Sequence, residues 1–147
     1  GALDLARTKA ETAGLEIHFH QGYAQDPPFD ARSFDRIISS LVFHHLRQKD
    51  KQRALAMAFG LLKPGGELHI ADWGKPRGVL QRLAFFSVQF LDGFETTQDS
   101  VRGILPGLME EAGFEEIVET CQEPTIYGTL GLFKGVKATP SSVEGRP

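Results

Sequence analysis

The sequence predicts an open α/β sheet, with parallel strands first and an antiparallel pair at the end. Three observations carry this reading. A β-branched apolar run fills positions 34–42, a helical repeat at 50–62 leads from it into a second apolar run at 68–71, and two late strand-like runs are joined by a short connection holding Pro124 and Gly128. Strand, helix, strand is a βαβ unit, whose crossover is right-handed and parallel, whereas a short connection between strands favours an antiparallel pair.

Each element follows from local chemistry. Leu3, Ala6, Ala10 and Ala13 recur at helical spacing until Gly14, which predicts a short amphipathic helix. Ile17 and Phe19 alternate with His18 and His20 before Gly22, the pattern of a strand. Asp26-Pro27-Pro28-Phe29-Asp30 reads as a loop, because two prolines remove backbone donors and push Asp26 away from helical angles. The run 34–42 lacks clean alternation, so it is expected at the centre of the sheet with both faces buried. From Asp50, a plausible N-cap, Leu55, Ala58, Phe59 and Leu62 mark one helical face, and Lys63-Pro64-Gly65-Gly66 ends it in a turn. Leu68, Ile70 and Ala71 form the next strand, which stops at Asp72-Trp73-Gly74. A helix rich in Phe85, Phe86 and Phe90 is read over 79–91. A second helix carries Val101, Ile104, Leu105, Leu108, Met109 and Ala112, with Gly113 as its terminator. Runs 114–120 and 129–137 are the last strands, and the Thr, Pro, Ser and Gly of 138–147 read as a disordered tail.

Composition narrows the function. With 147 residues, 41% of them hydrophobic, one core is expected. Sixteen Lys plus Arg against nineteen Asp plus Glu leave a net charge of -3 and no block of like charge; an extended footprint for nucleic acid or anionic lipid is therefore not supported. The apolar stretch 79–91 is shorter than the ~20 residues a bilayer demands and is broken by Gln81, Arg82 and Gln89. No leader segment is read at the N-terminus, and Cys121 is the only cysteine, so a cytoplasmic location is expected.

In open α/β sheets ligands bind beyond the carboxyl ends of the parallel strands, which directs attention to the residues after Phe19, Leu41 and Ala71. Four stretches there carry a resemblance: Gly22-Tyr23-Ala24-Gln25-Asp26-Pro27-Pro28-Phe29, Ser33-Phe34-Asp35-Arg36-Ile37, Val42-Phe43-His44-His45-Leu46 and Leu62-Lys63-Pro64-Gly65-Gly66-Glu67-Leu68. In that order and spacing they resemble the middle and C-terminal motifs of class I S-adenosylmethionine-dependent methyltransferases, of the small-molecule kind often called type 11. Glu111-Ala112-Gly113-Phe114 is similar to that family's last helix-to-strand corner. The resemblance implies a Rossmann-like methyltransferase sheet, with a partial methyltransferase domain over 1–137. Nothing matches the family's first strand, its glycine-rich loop or the acidic residue that holds the ribose, and no two glycines are separated by a single residue. The domain is therefore expected to be truncated at its N-terminus.

Residue by residue, the resemblance places Gly22, Tyr23, Ala24 and Gln25 along the cofactor's adenine, with Tyr23 where the family usually has Asp. Ser40, Leu41 and Val42 would pass the cofactor's amino acid portion. His44 and His45 would begin the loop near the methyl group, with His44 a wall of the acceptor site and His45 either a pocket residue or general base, or a histidine capping or packing on the next helix. Asp72, Trp73, Phe85 and Phe86 are candidate walls for the methyl acceptor, against a plainer reading as a helix cap and core aromatics. His18, His20, His44, His45 and His69 have no metal-ligand spacing, so no metal is expected. The implied function is transfer of a methyl group from S-adenosylmethionine to a small-molecule acceptor. The alternative is a non-catalytic remnant serving as an interaction module. Either way the strand at 34–42 lacks a neighbour on one side, so a homo-oligomer covering that edge, or direct pairing with 17–20, is expected.

Overall fold

The structure, a computed structural model, describes residues 1–74, 103–125 and 128–139. Helix α1 (Ala2–Thr12) is followed by β1 (Phe34–Ser40), a single 3-10 turn (Phe43–His45), α2 (Gln48–Leu61) and β2 (Leu62–Gly74). Helix α3 (Leu105–Glu111), β3 (Glu115–Thr125) and β4 (Gly128–Val136) complete the described chain. The four strands form one mixed sheet in the order β1-β2-β4-β3. β1 and β2 are parallel, with Ile38 opposite His69 and Ser40 opposite Ala71, and β4 is antiparallel to both β2 and β3. The parallel pair and the antiparallel end therefore agree with the sequence reading.

The core forms where helices cover the sheet. α2 and α3 touch each other and pack on the face that carries Leu62, Leu68 and Ile70 of β2 and Phe133 of β4. Leu55, Leu62, Leu68 and Met109 are fully buried. Lys137 closes the end of α2, where the last carbonyls of a helix lack internal partners. Its Nζ donates to the Phe59 carbonyl at 2.6 Å and the Leu62 carbonyl at 2.8 Å, and burial pushes its pKa down. The Lys63-Pro64-Gly65-Gly66 turn survives as a bulge inside β2: Phe34 pairs with Leu62, the next paired residue of β2 is Glu67, and Gly65 takes a left-handed φ of +77°. Pro106 sits in the first turn of α3, where its missing N–H has no helical partner to lose, and Gly113 (φ +98°) stops that helix.

The opposite face of the sheet is polar. Glu67 accepts from Lys134 Nζ at 2.7 Å and pairs with Arg36 Nε and His69 Nε2, each at 3.1 Å. The Lys134 and His69 hydrogen bonds are the main forces holding its pKa down, at about 2. Ile38 stands on that face at 76% exposure.

Three expectations need correction. Residues 17–20 are not a strand: Leu15 and Ile17 are 60% and 50% exposed, and the segment runs without ladder bonds because no described strand lies beside it. β1 is not buried on both faces; it is an edge of the described sheet, and its extended form comes from pairing with β2 on one side. Asp50 lies inside the first turn of α2, and Arg47 is the N-cap. The helix expected at 79–91, with Phe85, Phe86 and Phe90, lies outside the described residues, as do Val101 and most of the tail.

Candidate functional site

The carboxyl ends of β1 and β2 lie side by side, and the 3-10 turn sits across them. Ser40 pairs with Ala71, and the next N–H, that of Leu41, donates to the Ala71 carbonyl at 2.8 Å. Leu41 then adopts φ +54°, a left-handed conformation that costs a bulky residue about 1–2 kcal/mol. The chain turns there, and the backbone N–H groups of Phe43 and His44 meet the carboxylate of Asp72.

Asp72 is the centre of the arrangement. It is 2% exposed, and a carboxylate so deeply placed must have its lone pairs satisfied. Oδ2 accepts from Phe43 N at 2.7 Å and His44 N at 3.3 Å. Oδ1 lies 2.7 Å from His44 Nδ1 and accepts from Trp73 N at 2.8 Å. A carboxylate only accepts, so the neutral imidazole places its proton on Nδ1 and its lone pair on Nε2. His44 is itself buried, His45 beside it is exposed, and their rings lie 3.8 Å apart. The Trp73 ring stands edge-on to His44 at 6.5 Å.

Two recesses lie on the β1 side of the molecule, and the first reaches Phe43, whose N–H Asp72 holds. One, of about 450 Å³, runs along β1 and is lined by Ala24, Phe29, Ser40, Val42 and Phe43 among others; its size is that of a small-ligand site. The other, of about 390 Å³, is lined by Gly22, Tyr23 and Ala24 with His18, Phe19, His20 and Phe29. Phe29 links them, packing edge-on against His20 and against Phe34 of β1. The Asp26 N–H bonds the Tyr23 carbonyl at 3.0 Å, folding residues 23–26 into a tight turn that leaves Tyr23 81% exposed.

Of the residues singled out in the sequence, the structure brings His44, His45, Asp72 and Trp73 into one cluster, and Ala24, Ser40 and Val42 into one groove. Gly22 and Tyr23 line the neighbouring recess, Gln25 is half-buried beside it, and Leu41 supplies the left-handed turn. Phe85 and Phe86 lie outside the described residues. No group of three or more potential metal ligands occurs among the described residues. The sequence reading missed that Asp72 and His44 are partners across 28 positions. The signal was present, since both follow the ends of strands read as parallel neighbours.

Comparison with known proteins agrees with this geometry. A family described as a methyltransferase domain matches residues 1–66. The ubiquinone/menaquinone biosynthesis C-methyltransferase UbiE of Vibrio cholerae is 29% identical over 92% of this chain and 58% of its own length, and that of Proteus mirabilis is 29% identical over 92% and 60%. The chain thus spans less than two thirds of the length of these curated relatives. Among solved structures, a methyltransferase of Methanosarcina mazei superposes with a TM-score of 0.67 at 20% identity, covering 92% of this chain and 77% of that one. An O-methyltransferase family protein of Burkholderia thailandensis gives 0.67 at 20% identity, over 94% and 41%. A phosphoethanolamine N-methyltransferase of Haemonchus contortus, solved with S-adenosylhomocysteine, gives 0.59 at 16% identity, over 79% and 36%. Over residues 1–66 the chain is thus similar to a methyltransferase domain, over most of its length to the UbiE methyltransferases, and its sheet has the fold of S-adenosylmethionine-dependent methyltransferases.

Proposed function

We propose that this chain contributes the acceptor side, and part of the cofactor wall, of an S-adenosylmethionine-dependent methyltransferase acting on a small molecule whose reacting atom bears a proton. The observation that carries the reading is the Asp72–His44 pair at the carboxyl end of the parallel strands, where ligands bind in sheets of this kind. Bound S-adenosylmethionine supplies an electrophilic methyl group on a positively charged sulfur. A largely apolar groove beside the strand end fits such a ligand: Ala24, Ser40 and Val42 would hold it, with Gly22, Tyr23 and Gln25 flanking the adenine and Leu41 fixing the backbone between Ser40 and Val42.

The chain's own contribution is alignment, exclusion of water and removal of one proton. Asp72 keeps the Nδ1–H of His44 in place, and Nε2 is the atom that takes the acceptor's proton as the new bond forms. His45, exposed and with its ring tilted against that of His44, is a contact for the acceptor, with Trp73 and, from the sequence alone, Phe85 and Phe86 as further walls. This reverses the roles first read for the two histidines: the buried, carboxylate-held ring is the base. We extend the reading to a single partial domain over 1–137, a cytoplasmic location, and self-association through the outer edge of β1, the last supported by the exposure of Ile38.

Calorimetric titration with S-adenosylhomocysteine tests the cofactor reading, with stoichiometric micromolar binding expected and no binding at millimolar ligand overturning it. His44→Gln is expected to lower kcat by about 10²–10⁴-fold with KM little changed. An equal loss in His45→Gln alone would return the base to His45.

A further inference from the structure

Three non-glycine residues among those described have a left-handed φ: Arg32 (+55°), Leu41 (+54°) and Glu116 (+49°). Arg32 lies in the exposed loop before β1, and Glu116 lies in a bulge of β3, where the register with β4 shifts between Glu115 and Val118. Leu41 differs from both because it sits in the candidate site, and because it is clamped on either side. Its own N–H is tied to the Ala71 carbonyl, and two residues on, the Phe43 N–H is tied to Asp72 Oδ2 at 2.7 Å. The His45 N–H then closes the turn on the Val42 carbonyl at 3.1 Å. A strained backbone persists only where its surroundings over-determine it, and such places cluster at ligand-binding positions.

We infer that Leu41 is a positioning residue, whose clamped left-handed backbone sets the strand-end turn into its ligand-receiving shape before any ligand arrives. Only a sharp change of direction at position 41 lets the chain leave β1 and still bring the N–H groups of Phe43 and His44 onto Asp72, a residue of the neighbouring strand. The same turn fixes the backbone of Ser40 and Val42, both of which line the groove. A side chain at 41 is part of the device. Glycine reaches left-handed angles without cost but populates many others, so the turn would no longer be held in one form. The ligand part of this inference rests on the methyl-transfer reading; the shape of the turn does not.

The test compares Leu41→Ala, which keeps the backbone restriction and removes most of the side chain, with Leu41→Gly, which removes both. Thermal unfolding, amide exchange of Phe43 and His44, and S-adenosylhomocysteine titration are measured on the full chain. Leu41→Gly is expected to melt about 3 °C above Leu41→Ala, because the strain is gone. It is also expected to exchange those two amides about tenfold faster and to bind S-adenosylhomocysteine about tenfold more weakly than Leu41→Ala. Stability and pre-organisation then move in opposite directions, which a merely structural residue would not produce. Equal exchange in the two variants, or a lower melting point for the glycine variant, overturns the inference. If the exchange and melting contrasts appear but the wild-type chain binds no S-adenosylhomocysteine, the methyl-transfer reading fails and the positioning of the turn stands.

Discussion

The two edges of β2 face very different surroundings. On one side, β4 and β3 complete an antiparallel ladder over a core closed by α2 and α3, and residues such as Leu68 and Met109 are fully buried. On the other, β1 ends the described sheet, Ile38 is 76% exposed, and the extended run through Leu15 and Ile17 pairs with no strand among the described residues. Similar apolar side chains therefore contribute in opposite ways, because burial stabilises only where another element removes the surface from water. The candidate site lies on the boundary between these regions, with Asp72 on the β2 side holding a turn that emerges from β1.

The largest test of this contrast is truncation in the core. Met109→Ala is expected to cost about 2–5 kcal/mol, and equilibrium denaturation checks it. Asp72→Ala follows: it strands the N–H groups of Phe43, His44 and Trp73, and about 1–3 kcal/mol of stability should be lost, read by the same method. Lys137→Met removes both caps of α2 while keeping the hydrophobic stem, and about 1 kcal/mol is expected. The polar face gives a pH signature. Glu67 is held more acidic in the folded chain than unfolded, so its contribution is intact above the ordinary carboxylate range and fades as pH falls toward about 2. Glu67→Gln should flatten that acid limb in a pH series of thermal melts. The smallest effect is expected at Ile38→Thr, within about 0.5 kcal/mol for an uncovered edge. A loss as large as that of Met109→Ala, together with a changed sedimentation rate, would mean that a second copy covers the edge.

Much of this architecture was legible in sequence because it depends on near neighbours. Leu55, Ala58, Phe59 and Leu62 mark a helical face whatever surrounds them, and Gly14 and Gly113 terminate helices because their φ values of +65° and +98° suit glycine. The alternation at Ile17 and Phe19 was an equally fair local signal, but a strand exists only with a partner, and none of the described strands supplies one. At the site, the sequence singled out every member of the cluster. It could not tell the ring that Asp72 holds from the ring that lies against it.

The sequence by itself determined most of the described element types, the parallel-then-antiparallel order and the motifs that resemble methyltransferases, because periodicity, helix stops and spacing act over a few residues. Only the tertiary structure decided which apolar run is covered, which histidine is paired with Asp72, and that Leu41 must bend left-handed to allow it. Those outcomes depend on β1 and β2 lying side by side, which brings residues 28 positions apart within 2.7 Å of one another.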